Sequence, residues 1–455
     1  MNNEYDLIIV GAGVVGCAAA RAFGQDGRKV LLLERDLSEP DRIVGELMQP
    51  GGMRALKKLG MENCTEGIEG INCFGYSVYR NGELVELPYT FDHTLGKQAR
   101  GISFHHGRFI QKLRQSAAGT ENVTIMQRTV SELIVQDSVS EKVIGVITTE
   151  HEKFYAPLTL VADGIFSKFR KEFTDTKTQV TSHFVGFLIH DLDLPFPQKG
   201  FVCLGNPSFV LMYQISPNET RVLVDVPGEL PQVSIGELKK YMQNVVCPEL
   251  PLSIQAKFLE ALETERLRPM PSGFLPPTIN QRDGTILLGD ALNVRSPLTG
   301  GGMTVALEDV LTCRDLLSKE NVPSFTDTDL VLQAMNAFHW KRKRYSAVIN
   351  VLAMALYSVF AAGQSSNMMV LQYGCFEYFK LGEAYTQGPM DLLSGLNHSP
   401  LALIYHFFSV AFYGIYFMLK QNGVSKMPQN IWRSLAVFYT ACITIMPFLW
   451  GELKG

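Results

Sequence analysis

Tyr5-Asp6-Leu7-Ile8-Ile9-Val10, Gly11-Ala12-Gly13-Val14-Val15-Gly16 and an Ala-rich run over residues 17–23 open the chain. The short apolar run predicts a buried strand, and the Ala-rich stretch predicts a helix. A second apolar run, residues 29–33, ends in Glu34, 18 positions after Gly16. The whole is a βαβ opening that carries a dinucleotide-binding fingerprint. Gly11 permits the tight turn, Gly13 lets backbone approach a pyrophosphate, and Gly16 lets the helix pack closely on the strand. Amides at the helix N-terminus then face phosphates, and Glu34 is placed to accept hydrogen bonds from ribose hydroxyls.

The same fingerprint serves NAD and FAD, so later segments must choose between them. Asp163-Gly164-Ile165-Phe166-Ser167-Lys168-Phe169-Arg170 follows the apolar residues 158–162 and reads D-G-x-x-S-x-x-R. Residues 285–288 predict a strand that ends in Gly289-Asp290, and Pro297-Leu298-Thr299-Gly300-Gly301-Gly302-Met303 precedes a helix. A carboxylate at a strand end accepts a ribityl hydroxyl, and a Gly-rich helix start stabilises negative charge on a flavin ring. In this order the three elements resemble the FAD-binding set of single-component flavoprotein hydroxylases.

Around this unit the composition is that of a folded protein of two or three interlocked domains. The chain has 455 residues, 46% of them hydrophobic, with 41 basic and 45 acidic side chains. That balance excludes a charge-driven nucleic-acid binder and a disordered chain. Eight scattered cysteines form no CxxC pair and no metal-ligand cluster, so no metal site is expected and a reducing, cytosol-facing compartment is. The first strand begins at Tyr5, which leaves no room ahead of it for a signal peptide or anchor, so either the chain is a truncation or membrane attachment lies elsewhere. Alternating patterns near residues 61–100 and 181–226, such as Thr220-Arg221-Val222-Leu223-Val224-Asp225, predict a separate β-sheet.

The last fifth is different. Of residues 401–419, 16 of 19 are hydrophobic; of residues 431–450, 15 of 20 are, with Arg433 the one charge. Seven aromatic residues in the first run and Pro447 in the second suit a bilayer interface better than its centre. A buried helical hairpin is the alternative.

Longer motifs narrow the reading: Glu34-Arg35-Asp36, Asp41-Arg42-Ile43-Val44-Gly45-Glu46, Gln49-Pro50-Gly51-Gly52, Phe104-His105-His106-Gly107-Arg108-Phe109, Ser182-His183-Phe184-Val185-Gly186-Phe187 and Arg295-Ser296-Pro297 leading into the glycines. On these the chain resembles the squalene monooxygenase (squalene epoxidase) family from the first strand to the C-terminal hairpin. It departs from animal members, which usually carry an extra membrane-associated region at the N-terminus. The resemblance implies FAD contacts at Val14, Val15, Glu34, Arg35, Arg42, Leu47, Arg114, Val130, Asp290 and Met303, with Arg108 a further candidate. It implies a substrate pocket at Gln49, Tyr213 and Pro297, and a tyrosine needed for activity at Tyr76.

The expected fold class is α/β. A Rossmann-type FAD-binding domain over residues 1–60, 100–175 and 280–315 interleaves with a β-sheet substrate domain over 61–99 and 176–279. A C-terminal helical region, 316–455, carries the apolar membrane hairpin at 400–450. The resemblance implies epoxidation of squalene to 2,3-epoxysqualene in sterol biosynthesis, with O2 activated as a flavin C4a-hydroperoxide. A hydrocarbon offers neither a proton nor a carbonyl for acid–base or nucleophilic groups, so the cofactor carries the chemistry. No second GxGxxG unit is present, in keeping with the family's use of a microsomal NADPH-dependent flavoprotein reductase. The expected location is the cytosolic face of the endoplasmic reticulum membrane, monotopic through the C-terminal helices. Competing readings are another FAD-dependent lipid or prenyl oxidoreductase, or an inactive membrane flavoprotein.

Overall fold

The computed structural model describes residues 5–92, 96–137, 141–363, 365–422 and 427–453. The opening strand, Leu7–Val10, lies at the centre of a five-stranded parallel sheet. Val30–Glu34 and then Val123–Gln127 flank it on one side, Leu158–Val161 and then Thr285–Leu287 on the other. Parallel strands covered on both faces need unbroken apolar runs, and all four residues of Leu7–Val10 and of Leu158–Val161 are buried. The helix Val14–Gln25 packs against this sheet, and its Ala18, Ala19 and Ala20 are fully buried. The Gly-rich turn, the Asp163-Gly164 loop and the Gly289-Asp290 loop all leave the sheet at the carboxyl ends of its strands, where ligands of open α/β sheets bind.

A second sheet has seven strands. Its order is Arg268–Phe274, Gln179–His190, Glu219–Pro227, Phe209–Ser216, Gly200–Leu204, Gly75–Arg80 and Glu83–Pro88. Within this sheet, among the described strands, only the pair Gly200–Leu204 and Gly75–Arg80 is parallel. Pro269 and Pro271, which have no N–H to give to a ladder, sit in the edge strand Arg268–Phe274.

The alternating residues 220–225 lie in the strand Glu219–Pro227 of this separate sheet, and all seven residues between Glu219 and Pro227 are buried. Val222, Val224 and Val226 pack on the helix Leu252–Thr264, while Leu223 faces the opposite core. Arg221 and Asp225, on Leu223's side, are therefore buried as well.

Beyond residue 300 the described elements are helices: Gly302–Leu316, Thr328–Phe360, Ser366–Lys380, Ala384–Leu393, Pro400–Asn422 and Met427–Leu453. The last two are long and apolar enough to cross a membrane, each with a mean hydropathy of 1.6. A helix in a soluble core is mostly buried, but only 22% and 17% of their apolar 18-residue stretches are. Leu401, Tyr405, Phe412, Trp432, Tyr439 and Trp450 are all more than half exposed. The opposite faces are fastened to the body. Gly374 and Gly414 meet so closely that a Cβ on Gly374 would lie 2.6 Å from the Gly414 Cα.

Candidate active site

Gly11 sits at φ +101°, and a Cβ there would lie 2.5 Å from the Ala162 carbonyl oxygen. A Cβ on Gly16 would lie 1.8 Å from the Gly11 oxygen. Both are glycine because strand, turn and helix leave no room for more. Gly13 faces open space, and the helix N-terminus behind it has no side-chain cap, so its amides are free for an anion.

The Ala12 amide donates to Glu34 Oε2 at 2.7 Å, which places the carboxylate beside the turn. Arg114 reaches the same place from its helix, donating to the carbonyls of Ala12 (3.1 Å), Ser38 (2.9 Å) and Asp36 (3.0 Å). Its visible task is thus to brace the backbone of the turn. Arg35 and Arg42 are exposed, and Val130 opens the strand Val130–Val135 with its side chain buried. Arg108 stands apart, in an exposed pair with Glu69.

Arg170 of the D-G-x-x-S-x-x-R segment ties two loops together. Its guanidinium donates to the carbonyls of Ile165 (2.9 Å), Asp290 (2.7 Å) and Ala291 (2.9 Å). This leaves the Asp290 side chain facing a cavity of about 340 Å3 that Arg42, Leu47, Tyr76, Tyr213, Pro297 and Met303 also line. Gly302, at the uncapped start of Gly302–Leu316, faces open space on the same wall. Open glycines at two uncapped helix starts, a carboxylate at the first turn and another at the strand end fit a dinucleotide that carries a flavin. At the far wall Phe201, Leu211, Leu223 and Met270 of the large sheet make the surface apolar.

Gln49 lies behind the wall with no exposed surface. Its Nε2 donates to the Tyr76 hydroxyl at 2.6 Å and to the Thr299 carbonyl at 2.7 Å, and its Oε1 accepts from the Tyr89 hydroxyl. Burial pushes the Tyr76 and Tyr89 phenols above their ordinary range, so both stay neutral.

Three polar features escaped sequence reasoning. Tyr89 is one. Another is the buried pair in which Arg221 donates to Glu46 at 2.7 and 2.9 Å, beside the Tyr213 hydroxyl. Burial alone lowers the Arg221 pKa, but the Glu46 carboxylate outweighs it and the guanidinium stays charged. The third is the role of the two histidines. His105 pairs with Glu219 at 2.7 Å, and His106 Nδ1 donates to the Gly45 carbonyl at 2.9 Å, burial pushing its pKa down to about 4. Glu46, His105 and His106 stand in motifs quoted above, but their partners are far away in sequence and carry no local signal.

The squalene epoxidase family model matches residues 155–432, and that of glucose inhibited division protein A matches residues 6–181. Squalene epoxidase erg1 of Aspergillus fumigatus is 45% identical over 98% of this chain and 94% of its own. Squalene monooxygenase of Mus musculus is 47% identical over 99% of this chain and 78% of its own. The chain belongs to the squalene epoxidase family. It is accordingly an oxidoreductase that uses FAD.

Two solved structures share the fold. Klebsiella pneumoniae HpxO, complexed with FAD and uric acid, superposes with a TM-score of 0.66 at 18% identity, covering 88% of this chain and 99% of its own. Pseudomonas aeruginosa PqsL, in complex with 2-aminobenzoylacetate, gives 0.66 at 18% over 78% and 96%.

Proposed function

We propose that the chain epoxidises a terminal double bond of squalene to give (S)-2,3-epoxysqualene, with electrons delivered from NADPH by a separate membrane-bound flavoprotein reductase. The observation that carries this reading is the cavity itself: an apolar far wall for a hydrocarbon faces a wall of glycines and Asp290 suited to a flavin. Bound FAD supplies the chemistry by activating O2 to an electrophilic oxygen.

The chain's own residues do the rest. Phe201, Leu211, Leu223 and Met270 orient the alkene and exclude water. Gln49 donates to the Tyr76 oxygen, so the Tyr76 O–H proton is not spent on that bond and is held at the cavity wall. Tyr76, Gln49, Tyr213 and Pro297 thus form the substrate-side set. Glu34, Arg35, Arg42, Leu47, Val130, Asp290 and Met303 form the cofactor-side set, with the first-turn glycines, Val14 and Val15. Arg114 acts by bracing the turn.

The two apolar helices lie in one leaflet, on the cytosolic face of the endoplasmic reticulum membrane. Their inner faces are committed to the body at Gly374–Gly414 and Asn350–Glu452, while the outer faces offer aromatic and aliphatic surface to lipid.

The test is incubation of the purified, FAD-loaded chain in detergent with squalene, NADPH, microsomal reductase and 18O2. Labelled 2,3-epoxide is the expected product. A saturated chain without label, or bound FAD with no product, would sink the assignment. Trp432→Glu combined with Tyr439→Glu is expected to release the chain from phospholipid vesicles, and undiminished binding would remove the membrane reading.

A further inference from the structure

The helix Met427–Leu453 carries two charged side chains. Arg433 is exposed, as a charge on an interfacial helix should be, but Glu452 is 5% exposed. Its Oε1 accepts from Asn350 Nδ2 at 2.7 Å, and Asn350 itself is buried in Thr328–Phe360. The same Nδ2 donates to Asn293 Oδ1 at 3.1 Å. Asn293 Oδ1 also accepts from Arg295 Nη2 at 2.6 Å and from Arg342 Nη2 at 3.2 Å. Asn293 Nδ2 donates to the Leu275 carbonyl at 2.7 Å, which fixes which way round the amide stands. Arg295 lines the cavity. An unbroken chain of hydrogen bonds therefore runs from the last helix to the cavity wall.

The charges favour this path. Arg342 takes both oxygens of Asp309, at 2.9 and 3.0 Å, and Tyr345 donates to the same carboxylate at 2.7 Å. Asp309 is thus committed to Arg342. Of the three carboxylates facing Arg295, the other two are Asp290 and Glu452. A buried polar chain of this kind is costly when one member is lost, because its neighbours are left unpaired in a dry interior.

We propose that Glu452 is a positioning residue for the cavity. Through Asn350 and Asn293 it holds Arg295, and with it the wall segment that carries Pro297 and Met303. Seating of the lipid-facing helix and shaping of the oxygenation site are then one event. When the helix is unseated, Asn350 loses one of its two acceptors, the hold on Asn293 and through it on Arg295 loosens, and water reaches the reacting centre. The turnover arm of this inference rests on the epoxidase reading above; its structural arm does not.

The experiment compares the FAD-loaded full chain with Glu452→Leu, Glu452→Gln and, as a control on the same helix, Arg433→Leu. Amide hydrogen exchange over residues 289–303 and epoxide formed per NADPH consumed are both measured. Glu452→Leu is expected to speed exchange in that segment at least ~10-fold and to cut the epoxide yield per NADPH at least ~5-fold. Glu452→Gln keeps the acceptor oxygen and is expected to stay within ~2-fold of the parent on both. Arg433→Leu should move neither.

Parental exchange and coupling in Glu452→Leu would overturn the proposal. So would an equal loss in Glu452→Gln, since the hydrogen bond would then not be what holds the wall. Should Glu452→Leu fail to retain FAD, Asn350→Leu is measured in its place with the same expectations, because it cuts the next link. A parent that makes no epoxide defeats the functional reading alone, and the exchange arm still decides this one.

Discussion

At the Gly-rich turn of the parallel sheet, the cofactor end of the molecule, Gly11, Gly13, Gly16 and Glu34 fall within 23 positions of one another and act mainly through backbone geometry. At the sheet end, Glu46 and Arg221 are 175 positions apart, Gln49 and the Thr299 carbonyl are 250 apart, and what matters is which distant partner meets a buried side chain. At Gly11 and Gly16 the first end tolerates no added atom. The second tolerates no missing partner.

The contrast sets the order of expected effects. Gly16→Val places side-chain atoms against the Gly11 carbonyl, where only backbone stands to yield. It is expected to cost more than about 5 kcal/mol, so that no FAD-loaded protein is recovered. A stoichiometric flavin absorbance in that variant would break the contrast at its cofactor end.

Arg221→Met keeps much of the volume but leaves Glu46 alone in a buried site. Its cost is expected at about 3 to 5 kcal/mol, read as a fall in thermal midpoint in detergent. The double variant Glu46→Leu with Arg221→Met should recover most of that loss. If it recovers nothing, the pair is not the unit proposed.

Asp225 sharpens the comparison through pH. It is fully buried on the cavity side of the sheet and accepts from Ser182 at 2.5 Å, and burial raises its pKa to about 7. That lies above the ordinary 3.8 of the unfolded chain, so its contribution to stability is whole below about pH 4 and lost as pH rises through about 7. Asp225→Asn is therefore expected to stabilise the chain at pH 8 by on the order of 2 kcal/mol, with the gain gone at pH 4. A pH-independent difference would contradict the raised value.

Tyr76→Phe makes the smallest change, removing one oxygen and the acceptor for Gln49. Turnover is expected to fall about tenfold, or about 1.4 kcal/mol in the barrier. Full turnover with unchanged coupling of NADPH to product would remove Tyr76 from the site.

Much of the cofactor end was legible in the sequence, because a βαβ turn is a local object whose glycines and terminal acid recur at short, readable spacings. The C-terminal hairpin was legible for a similar reason: one composition persists over a helix length. The sheet end was less so. Alternation at 220–225 marked a strand of a separate sheet, but not that helix Leu252–Thr264 covers one of its sides and the cavity core the other. Gln49 and Tyr76 were nominated through the family resemblance, but Tyr89, which orients Gln49, was not, because nothing local marks a tyrosine whose partner lies 40 positions away.

The sequence alone determined where a dinucleotide turn forms, that a flavin set follows it, and which stretch is apolar enough for lipid. Each of these depends on neighbours along the chain. Only the tertiary structure decided that Arg221 meets Glu46, that Tyr89 and Thr299 clamp Gln49, and that Glu452 turns from the exposed apolar side of its helix to join Asn350. A buried polar group takes its partner from whatever the packing of distant segments brings within about 3 Å, and spacing along a chain does not encode that distance.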